Sequence, residues 1–289
     1  MRAVFLRELK AYFTSPIGYV FMGFFILLSG IFFAFGNLLP ASSSYAGLLN
    51  SITFIFLIVV PILTMRLISE DKKQKTDQLL ITSPLSITGI VLGKYLAAVG
   101  VFVLTLIVTL SYPLMMSFFS YGSLAWPEIL GGYLGFLLLG SSFIAVGLFF
   151  SSVTDNQIIA AVVTFAALLL IWILNSISQY MPSDAISGLV FVSLGALGIA
   201  FLVYFSTRNV YITGAAVLVM AGGIVAGFIL QRTFFEGLIT TVFNWISLLN
   251  RYNDFNLGIL SLSPIVYYLS FSAAFIFFTI RMIEKRRWA

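Results

Sequence analysis

Long apolar runs, separated by short polar segments, make up most of this chain. Each run is continuous over about the 20 residues that a helix needs to cross the hydrocarbon core of a bilayer, and the runs do not alternate in short segments as barrel strands do. The pattern therefore predicts an all-α fold, a polytopic helical membrane protein with about eight transmembrane helices. Their approximate bounds are Ile17–Leu39, Leu48–Leu67, Ile87–Met116, Ile129–Ser151, Ile158–Ile177, Leu189–Phe205, Val210–Leu230 and Pro264–Ile280.

Residues 2–15 show a different, amphipathic pattern. At about 100° per residue, one side of a helix is apolar and faces away from Arg7 and Lys10. That apolar side consists of Phe5, Leu6, Leu9, Tyr12 and Phe13. We expect a helix that lies on the membrane surface and ends before Pro16, because the residue preceding a proline avoids the helical conformation.

Residues 231–260 are too polar for an ordinary span. Apolar side chains between Phe234 and Leu249 are followed by polar ones between Asn250 and Asp254. The pattern favours an external re-entrant or interfacial helix and then a polar turn before the last span. A plain connector that lies on the surface is an equal alternative.

Charge supports the count of crossings and orients them. Only 9% of the 289 residues are charged, against about a quarter in soluble domains. With the N-terminus in the cytoplasm, Arg232 and Arg251 fall outside and all other lysines and arginines fall inside, which is the positive-inside distribution. The inner set is Arg2, Arg7, Lys10, Arg66, Lys72, Lys73, Lys75, Lys94, Arg208, Arg281, Lys285, Arg286 and Arg287. We expect both termini in the cytoplasm, provided that 206–209 is a true turn.

Two kinds of residue inside the spans suggest how the helices are held. Lys94 lies near the inner end of the third span, and we interpret it as a lysine whose amine reaches the interface. Gly131 with Gly135, and Gly223 with Gly227, have the four-residue spacing of small side chains that lets membrane helices approach closely.

The chain lacks the side chains of most catalytic and metal sites. It has no cysteine and no histidine, which excludes disulfides, thiolate sites and the usual acid–base residue near neutral pH. Every aspartate and glutamate falls at a span end or in a loop, whereas ion-coupled carriers keep ionisable groups deep in their spans. We expect no catalytic residue, no metal site, no cofactor bound by this chain and no nucleic-acid partner.

The loop 66–84 is the most informative polar segment. Charged residues between Arg66 and Asp77 are followed by the apolar tip Leu79–Ile81, and the loop ends at Pro84. A solvated loop that only holds the topology is the plain interpretation of such charges. The apolar tip favours docking into a groove of a cytoplasmic partner instead.

Three segments resemble the permease subunits of ABC-2-type transporters, with the closest likeness in the gliding-motility-associated branch. The first, 7–19, resembles the N-terminal elbow helix of that branch, and the second runs from Pro61 to Pro84. The third extends from Gly258 to the basic end at Trp288. The chain departs from the family at Lys75, where many members have glycine, and at Gln78, where many have glutamate.

The resemblance implies the architecture and the site. The whole chain, 1–289, would be one ABC-2-type transmembrane domain with an elbow helix at 2–15, a cytoplasmic coupling loop at 66–84, an extra helix pair at 189–230 inserted into a core of about six spans, and the external segment at 231–260. The implied elbow residues are Arg7, Glu8, Tyr12 and Phe13. The implied ATPase-coupling residues are Glu70, Asp71, Thr76, Asp77, Gln78, Leu79, Leu80, Thr82 and Pro84. Substrate-binding residues stay unknown.

The implied function is the permease subunit of an ATP-driven transporter in a bacterial cell membrane, most simply an exporter. A cytoplasmic ABC ATPase subunit would hold ATP and Mg and do the hydrolysis. A second permease subunit, identical or different, membrane lipid and an extracytoplasmic accessory protein are the other expected partners. Two alternatives stay open: a membrane scaffold or anchor for a cell-surface machine, and a stand-alone carrier or channel. Sodium, a peptide, a lipid or a drug would each suit such apolar spans.

Overall fold

The computed structural model describes residues 1–40, 42, 44–75, 86–119, 124–178 and 180–287, and within these ranges the fold is helical without any strand. The helices are α1 (Arg2–Thr14), α2 (Pro16–Phe33), α3 (Tyr45–Ile52), α4 (Phe56–Thr64), α5 (Ser69–Lys73), α6 (Ile87–Thr109), α7 (Ser111–Phe119), α8 (Trp126–Val153), α9 (Gln157–Ser178), α10 (Ala185–Thr207), α11 (Val210–Leu230), α12 (Leu238–Ile246), α13 (Leu248–Asn256) and α14 (Leu262–Arg287). A π-helical turn, Ala34–Leu38, extends α2, and 3-10 turns lie at Thr53–Ile55 and Arg232–Phe235.

Eight helical stretches of the described residues are long and apolar enough to cross a membrane, which confirms the predicted fold class. They are Pro16–Leu38, Gly47–Lys73, Ile87–Phe118, Trp126–Val153, Gln157–Ile177, Ala185–Phe205, Val210–Leu230 and Leu262–Lys285, here the first to eighth spans. The second and eighth extend furthest beyond their predicted ends, to Lys73 and Lys285. Hydropathy marks only the apolar part of a helix, and these helices continue into charged residues. The chain is a multi-pass helical membrane protein.

By packing, the chain forms two compact units, and the domain layout predicted from the sequence stays a prediction. The first comprises residues 1–170 and 248–289, and the second comprises residues 171–247. The predicted extra pair, 189–230, lies within the second unit.

The fourth span, α8, is the central helix of the first unit and packs against α3, α4, α6, α13 and α14. Its Phe136 ring lies 4.5 Å from that of Phe56 and 6.1 Å from that of Phe102, centroid to centroid. Phe25 of α2 joins the same cluster at 6.2 Å from Phe136. All four side chains are buried, so aromatic packing holds the first four spans together.

Glycines let neighbouring helices approach α8. A Cβ built on Gly135 would lie 2.6 Å from the Phe255 side chain of α13, and one on Gly131 would lie 3.0 Å from the Phe255 carbonyl oxygen. The predicted close approach at this pair is therefore confirmed. For Gly223 the prediction was wrong, because a Cβ there would meet no described atom within 4 Å.

The predicted polar turn after the external segment is instead part of a helix, α13. Leu248, Leu249, Tyr252 and Phe255 are buried along one face of it, and their spacing is that of an amphipathic helix. The polar residues cover its opposite face. The segment also contains α12, and each of these helices has only 9 residues, too few to cross a bilayer at about 1.5 Å per residue.

Helix α1 packs along α6 with part of the predicted apolar side, since a Cβ built on Gly100 of α6 would lie 3.6 Å from the Leu9 side chain and 3.7 Å from that of Phe5. Val4 and Tyr12 are buried and Leu6 is half exposed. Val4 lies over Gly93, where a Cβ would approach its side chain to 2.9 Å. Glu8 falls between Val4 and Tyr12 on the same face. The contact face therefore includes a carboxylate as well as apolar side chains, because α6 carries the buried Lys94, which pairs with Glu8.

In the second unit, α10 and α11 form a hairpin whose turn is well defined. Arg208 ends α10 in the left-handed conformation, at φ +48°, and its N–H donates to the Tyr204 carbonyl at 2.7 Å. Asn209 then caps α11, its side chain accepting from the Tyr211 N–H at 2.9 Å and from the Ile212 N–H at 3.4 Å. The chain does turn at 206–209, as the count of eight crossings requires.

Candidate functional site

Lys94 of α6 is the centre of a buried cluster of charges in the first unit. Its Nζ lies 3.0 Å from Oε1 of Glu8 on α1 and 2.7 Å from Oδ2 of Asp71 on α5. The Lys94 side chain is only 4% exposed. The interpretation of Lys94 as a residue reaching the interface was therefore wrong, because its amine is paired inside the protein and joins three helices.

Glu8 is held in its ionised form by its neighbours. Burial raises the pKa of Glu8, but the positive charges of Lys94 and Arg7 together lower it further, so that the pKa lies below its ordinary value of 4.5. The Arg7 guanidinium lies 2.6 Å from Glu8 Oε1. Two basic side chains thus contact the carboxylate of Glu8, which is ionised at neutral pH.

Arg66, at the start of the loop 66–84, fastens the loop to α1. Its Nε lies 3.2 Å from Glu70 Oε2, its NH1 donates to Ser15 Oγ at 2.8 Å, and its guanidinium lies 5.4 Å from the centroid of the Tyr12 ring. The Tyr12 hydroxyl donates in turn to the Leu63 carbonyl at 2.8 Å. That carbonyl is in the last turn of α4, where helix acceptors lack partners within the helix. Burial raises the pKa of Tyr12, so its hydroxyl keeps the proton it donates.

Ser151, near the end of α8, holds the first turn of α5. Its Oγ accepts from the Ile68 N–H at 3.0 Å and from the Ser69 N–H at 3.1 Å. The same hydroxyl is 3.2 Å from the Met65 carbonyl, to which it donates. A side chain from another helix thus satisfies N–H groups that a helix start leaves free.

Lys72 makes a second connection between α5 and α8. Its amine donates to the Ser152 carbonyl and lies 3.9 Å from Oδ1 of Asp155, while its side chain is 4% exposed. The five residues of α5 are thereby held directly to α6 and α8, and through Lys94 to α1. We call the set Glu8, Arg66, Glu70, Asp71, Lys72, Lys94, Ser151 and Asp155 the charged hub.

The loop leaves the charged hub through a left-handed turn. Lys75 has φ +58°, and its N–H donates to the Lys72 carbonyl at 3.1 Å. Lys73 and Lys75 are exposed. Seven of the predicted coupling residues follow directly and lie outside the described residues: Thr76, Asp77, Gln78, Leu79, Leu80, Thr82 and Pro84.

The structure brings together two groups of residues that the sequence suggested separately. Glu70 and Asp71 of the loop meet Arg7, Glu8 and Tyr12 of α1 around the charged hub. Phe13, the fourth elbow residue, lies elsewhere, with its ring edge-on to that of Tyr19 at 5.8 Å. Their roles in coupling stay predictions.

Sequence reasoning missed Lys94 and Ser151 as members of this site. The signal for Lys94 was present, since burying a lysine within an apolar span costs free energy unless the lysine is paired with an acid. Acidic residues to which the sequence assigned no partner lay on α1 and in the loop. Ser151 gave no such signal, because a serine near a span end is common. Among the described residues, no group of three acidic side chains could hold a metal ion.

Comparison with known proteins gives one result. The sequence model of the family described as ABC-2 family transporter protein matches residues 9–206, which is more than half of the chain and includes the loop 66–84. The match takes in α10 and stops at the turn before α11. No curated protein matches the chain.

Proposed function

The chain belongs to the ABC-2 family of transporter proteins, and on this premise we propose that it is the permease of an exporter driven by a separate cytoplasmic ATPase. A permease of this family is not itself catalytic, and membership implies an ABC ATPase partner in general. The proposal adds the outward direction and the route by which ATP hydrolysis acts on the spans.

The charged hub is the observation that supports the route. The loop 66–84 contains α5, which is tied to the third span by the ion pair of Asp71 with Lys94 and to the fourth span by capping hydrogen bonds and Lys72. Lys94 connects it further to Glu8 of α1. Buried ion pairs resist rearrangement, because separating them leaves charges unpaired in a medium of low dielectric. A movement of α5 would therefore pass to the third and fourth spans through direct contacts, and to α1 through Lys94.

The apolar tip of the loop supplies the docking end of this route. Leu79, Leu80 and Ile81 would fill a groove on the ATPase, and the charges before them would orient the loop. In this proposal ATP and Mg bind only to the ATPase, and this chain binds no cofactor. ATP-driven closure of two ATPase subunits would move the charged hub and, with it, α1 and the attached spans.

The wider assembly is part of the same proposal. A second permease subunit would complete the pathway, and lipid and an extracytoplasmic accessory protein would be further partners. The likeness of 7–19, of the loop and of the C-terminal segment supports the gliding-motility-associated branch, a bacterial cell membrane and cytoplasmic termini. The scaffold and the stand-alone carrier are the competing functions, and neither needs an ATPase that responds to this chain.

The test is purification of the tagged chain in mild detergent with identification of its partners, followed by ATPase assays. We expect a stoichiometric cytoplasmic subunit with a phosphate-binding loop. Replacing Leu79 and Leu80 together with aspartate should abolish the stimulation of that ATPase by the permease, since it places two charges in an apolar groove.

A matched control has the same two charges elsewhere. Leu257 and Ile259 are exposed apolar residues of the turn after α13, and their double replacement with aspartate should leave ATPase stimulation unchanged. Equal loss in both double variants, or recovery of the chain without any ATPase after crosslinking, would overturn the proposal and favour the carrier or the scaffold.

A further inference from the structure

The helix pair α10–α11 of the second unit encloses a large groove. Its volume is about 920 Å³, within the range of about 300–1,000 Å³ typical of ligand pockets. The lining side chains are apolar along its length, among them Phe191, Ile199 and Met220, and Gln231 contributes an amide at one end. The proposed transport function does not use this groove.

Glycines leave the groove open. Gly195 and Gly223 line it from the two helices, and a Cβ built on either would meet no described atom within 4 Å. These residues therefore do not bring α10 and α11 together, as small residues do at tight helix contacts. They leave room beside the helices for something that is not part of the described chain.

The surroundings of the pair determine what can occupy this room. Both helices are long and apolar enough to cross a membrane, and α11, which is described in full, has no buried residue. A groove in such helices faces hydrocarbon, and apolar interiors are close-packed because unfilled space forfeits dispersion contacts. An acyl chain is the matching occupant for the apolar length of the groove.

A cation, Arg232, lies beside one end of the groove, next in the chain to the lining residue Gln231, and does not itself line the groove. The 3-10 turn Arg232–Phe235 follows α11, and Gln231, Phe234 and Phe235 of this region line the groove. The Arg232 guanidinium lies 5.8 Å from the centroid of the Phe228 ring, and it has no carboxylate partner among the described residues. Guanidinium groups bind phosphate through paired N–H donors.

The position of this cation is fixed by close backbone packing. A Cβ on Gly188 would overlap the Phe235 carbonyl, so only glycine lets the 3-10 turn sit against the start of α10. The Gly237 N–H also donates to the Ser183 carbonyl at 2.9 Å. The turn that holds Arg232 is thus anchored to the helix that forms the opposite wall.

We propose that the α10–α11 groove is a binding site for one anionic phospholipid. An acyl chain lies along Gly195 and Gly223, and the phosphate lies at Arg232. An apolar groove with a guanidinium beside its end, at the close of a span, matches the layout of a phospholipid, whose charge also lies at the end of its chains. The site is independent of whether an ATPase drives the protein.

The experiment uses the full chain in nanodiscs of phosphatidylcholine that contain a small fraction of photoactivatable phosphatidylglycerol, with the reactive group on the acyl chain. Crosslinked positions are mapped by mass spectrometry. We expect labelling concentrated on groove residues such as Ile199 and Met220. Gly223→Leu should fill the groove and reduce that labelling by about tenfold, which corresponds to a loss of about 1.4 kcal/mol of binding free energy.

Neighbouring glycines provide matched controls. Gly222→Leu adds the same side chain one position away, where a Cβ also meets no described atom within 4 Å but where the residue does not line the groove. Its labelling should equal that of the unmodified protein. Gly195→Leu, with Gly198→Leu as its control, repeats the comparison on α10 in case one variant of the first pair fails to fold.

The head-group part of the proposal has its own test. A photoactivatable phosphatidylcholine with the same acyl chain should label the groove about fivefold less than phosphatidylglycerol, because one arginine near the surface gives a preference of this size. Arg232→Gln should remove the preference, and Arg208→Gln, at the other end of α11, should not.

Three results would overturn the proposal. They are equal groove labelling in Gly223→Leu and Gly222→Leu, equal labelling by the two lipids in the unmodified protein, and crosslinks at the groove to a second copy of this chain instead of to lipid. The last result would assign the groove to assembly of the permease.

Discussion

At the scale of single residues, Lys94 has the largest expected effect on stability. Its side chain is 4% exposed, with carboxylates at 3.0 Å and 2.7 Å, so Lys94→Met removes the cation that Glu8 and Asp71 share, while Glu8 keeps Arg7. Removing one partner of a buried pair costs about 3–5 kcal/mol, and we expect the unfolding free energy to fall by about that amount. Tryptophan fluorescence during denaturation in detergent measures this change.

The control for this change is Lys73→Met, which removes an exposed lysine from the same region and should alter the unfolding free energy by about 0.5 kcal/mol or less. If Lys94→Met is no more destabilising than Lys73→Met, the buried triad is not what holds α1 and α5 to α6. Adding Glu8→Gln and Asp71→Asn to Lys94→Met should recover part of the loss, because the three buried charges are then removed together.

Glu8 makes the stability of the same cluster depend on pH. Its pKa is lowered below 4.5 in the folded protein, so its ionised form contributes stability that is present above the ordinary pKa and is lost as the pH falls through the folded value. The difference in thermal midpoint between the unmodified protein and Glu8→Gln should be constant near neutral pH and should shrink only below pH 4.5. A difference that shrinks already at neutral pH would contradict this assignment.

Lys75 occupies a backbone position that favours glycine. At φ +58° a residue with a Cβ is strained by about 1–2 kcal/mol, and glycine is not. Lys75→Gly should raise the unfolding free energy by about 0.5–1 kcal/mol, the residual gain after the added flexibility of the unfolded chain. Lys73→Gly, inside α5, should lower it, and the same sign for both variants would show that the left-handed turn is not maintained.

At the scale of helices, α8 depends on its glycines in a way that α11 does not. Gly135→Ala places a Cβ 2.6 Å from the Phe255 side chain, and we expect a destabilisation of about 1–3 kcal/mol by overpacking. Gly222→Ala, in open space on α11, should be neutral or slightly stabilising, since alanine favours helix by about 1 kcal/mol. Thermal unfolding in detergent separates the two, and equal effects would mean that α8 and α13 are not tightly packed.

Helices α1 and α13 show what a sequence pattern can and cannot predict about an element. The spacing of Leu248, Tyr252 and Phe255 indicates a helix, and only the high polarity between them suggested a turn. On α1 the pattern found the helix and, in Phe5, Leu9 and Tyr12, the apolar part of its contact face. That face includes Glu8, and no hydropathy pattern predicts a carboxylate inward without knowledge of Lys94 on another helix.

At the scale of the whole molecule, the spans are predictable because hydrocarbon imposes its thickness on every crossing independently of the others. The charged hub is not predictable in this way. Its members come from residues 8, 66–72, 94 and 151–155, and their meeting depends on how four helices pack. Polarity alone marked the loop 66–84 as important. The residues that hold the loop in place, Lys94 and Ser151, are identified only by their interatomic distances in the structure.

Orientation in the membrane is the remaining whole-molecule property, and the absence of cysteine makes it directly measurable. A single cysteine placed at Lys73, Glu236 or Lys285, all exposed positions, provides a unique thiol. The positive-inside distribution predicts that Lys73→Cys and Lys285→Cys react with an impermeant maleimide only after the cells are opened, whereas Glu236→Cys reacts in intact cells. Reaction of Lys285→Cys in intact cells would mean that α10 and α11 do not both cross, since an odd number of crossings puts the two termini on opposite sides. Protection of Lys73→Cys together with reactivity of Glu236→Cys would put the charged hub on the cytoplasmic side, where an ATPase can reach the loop that leaves it.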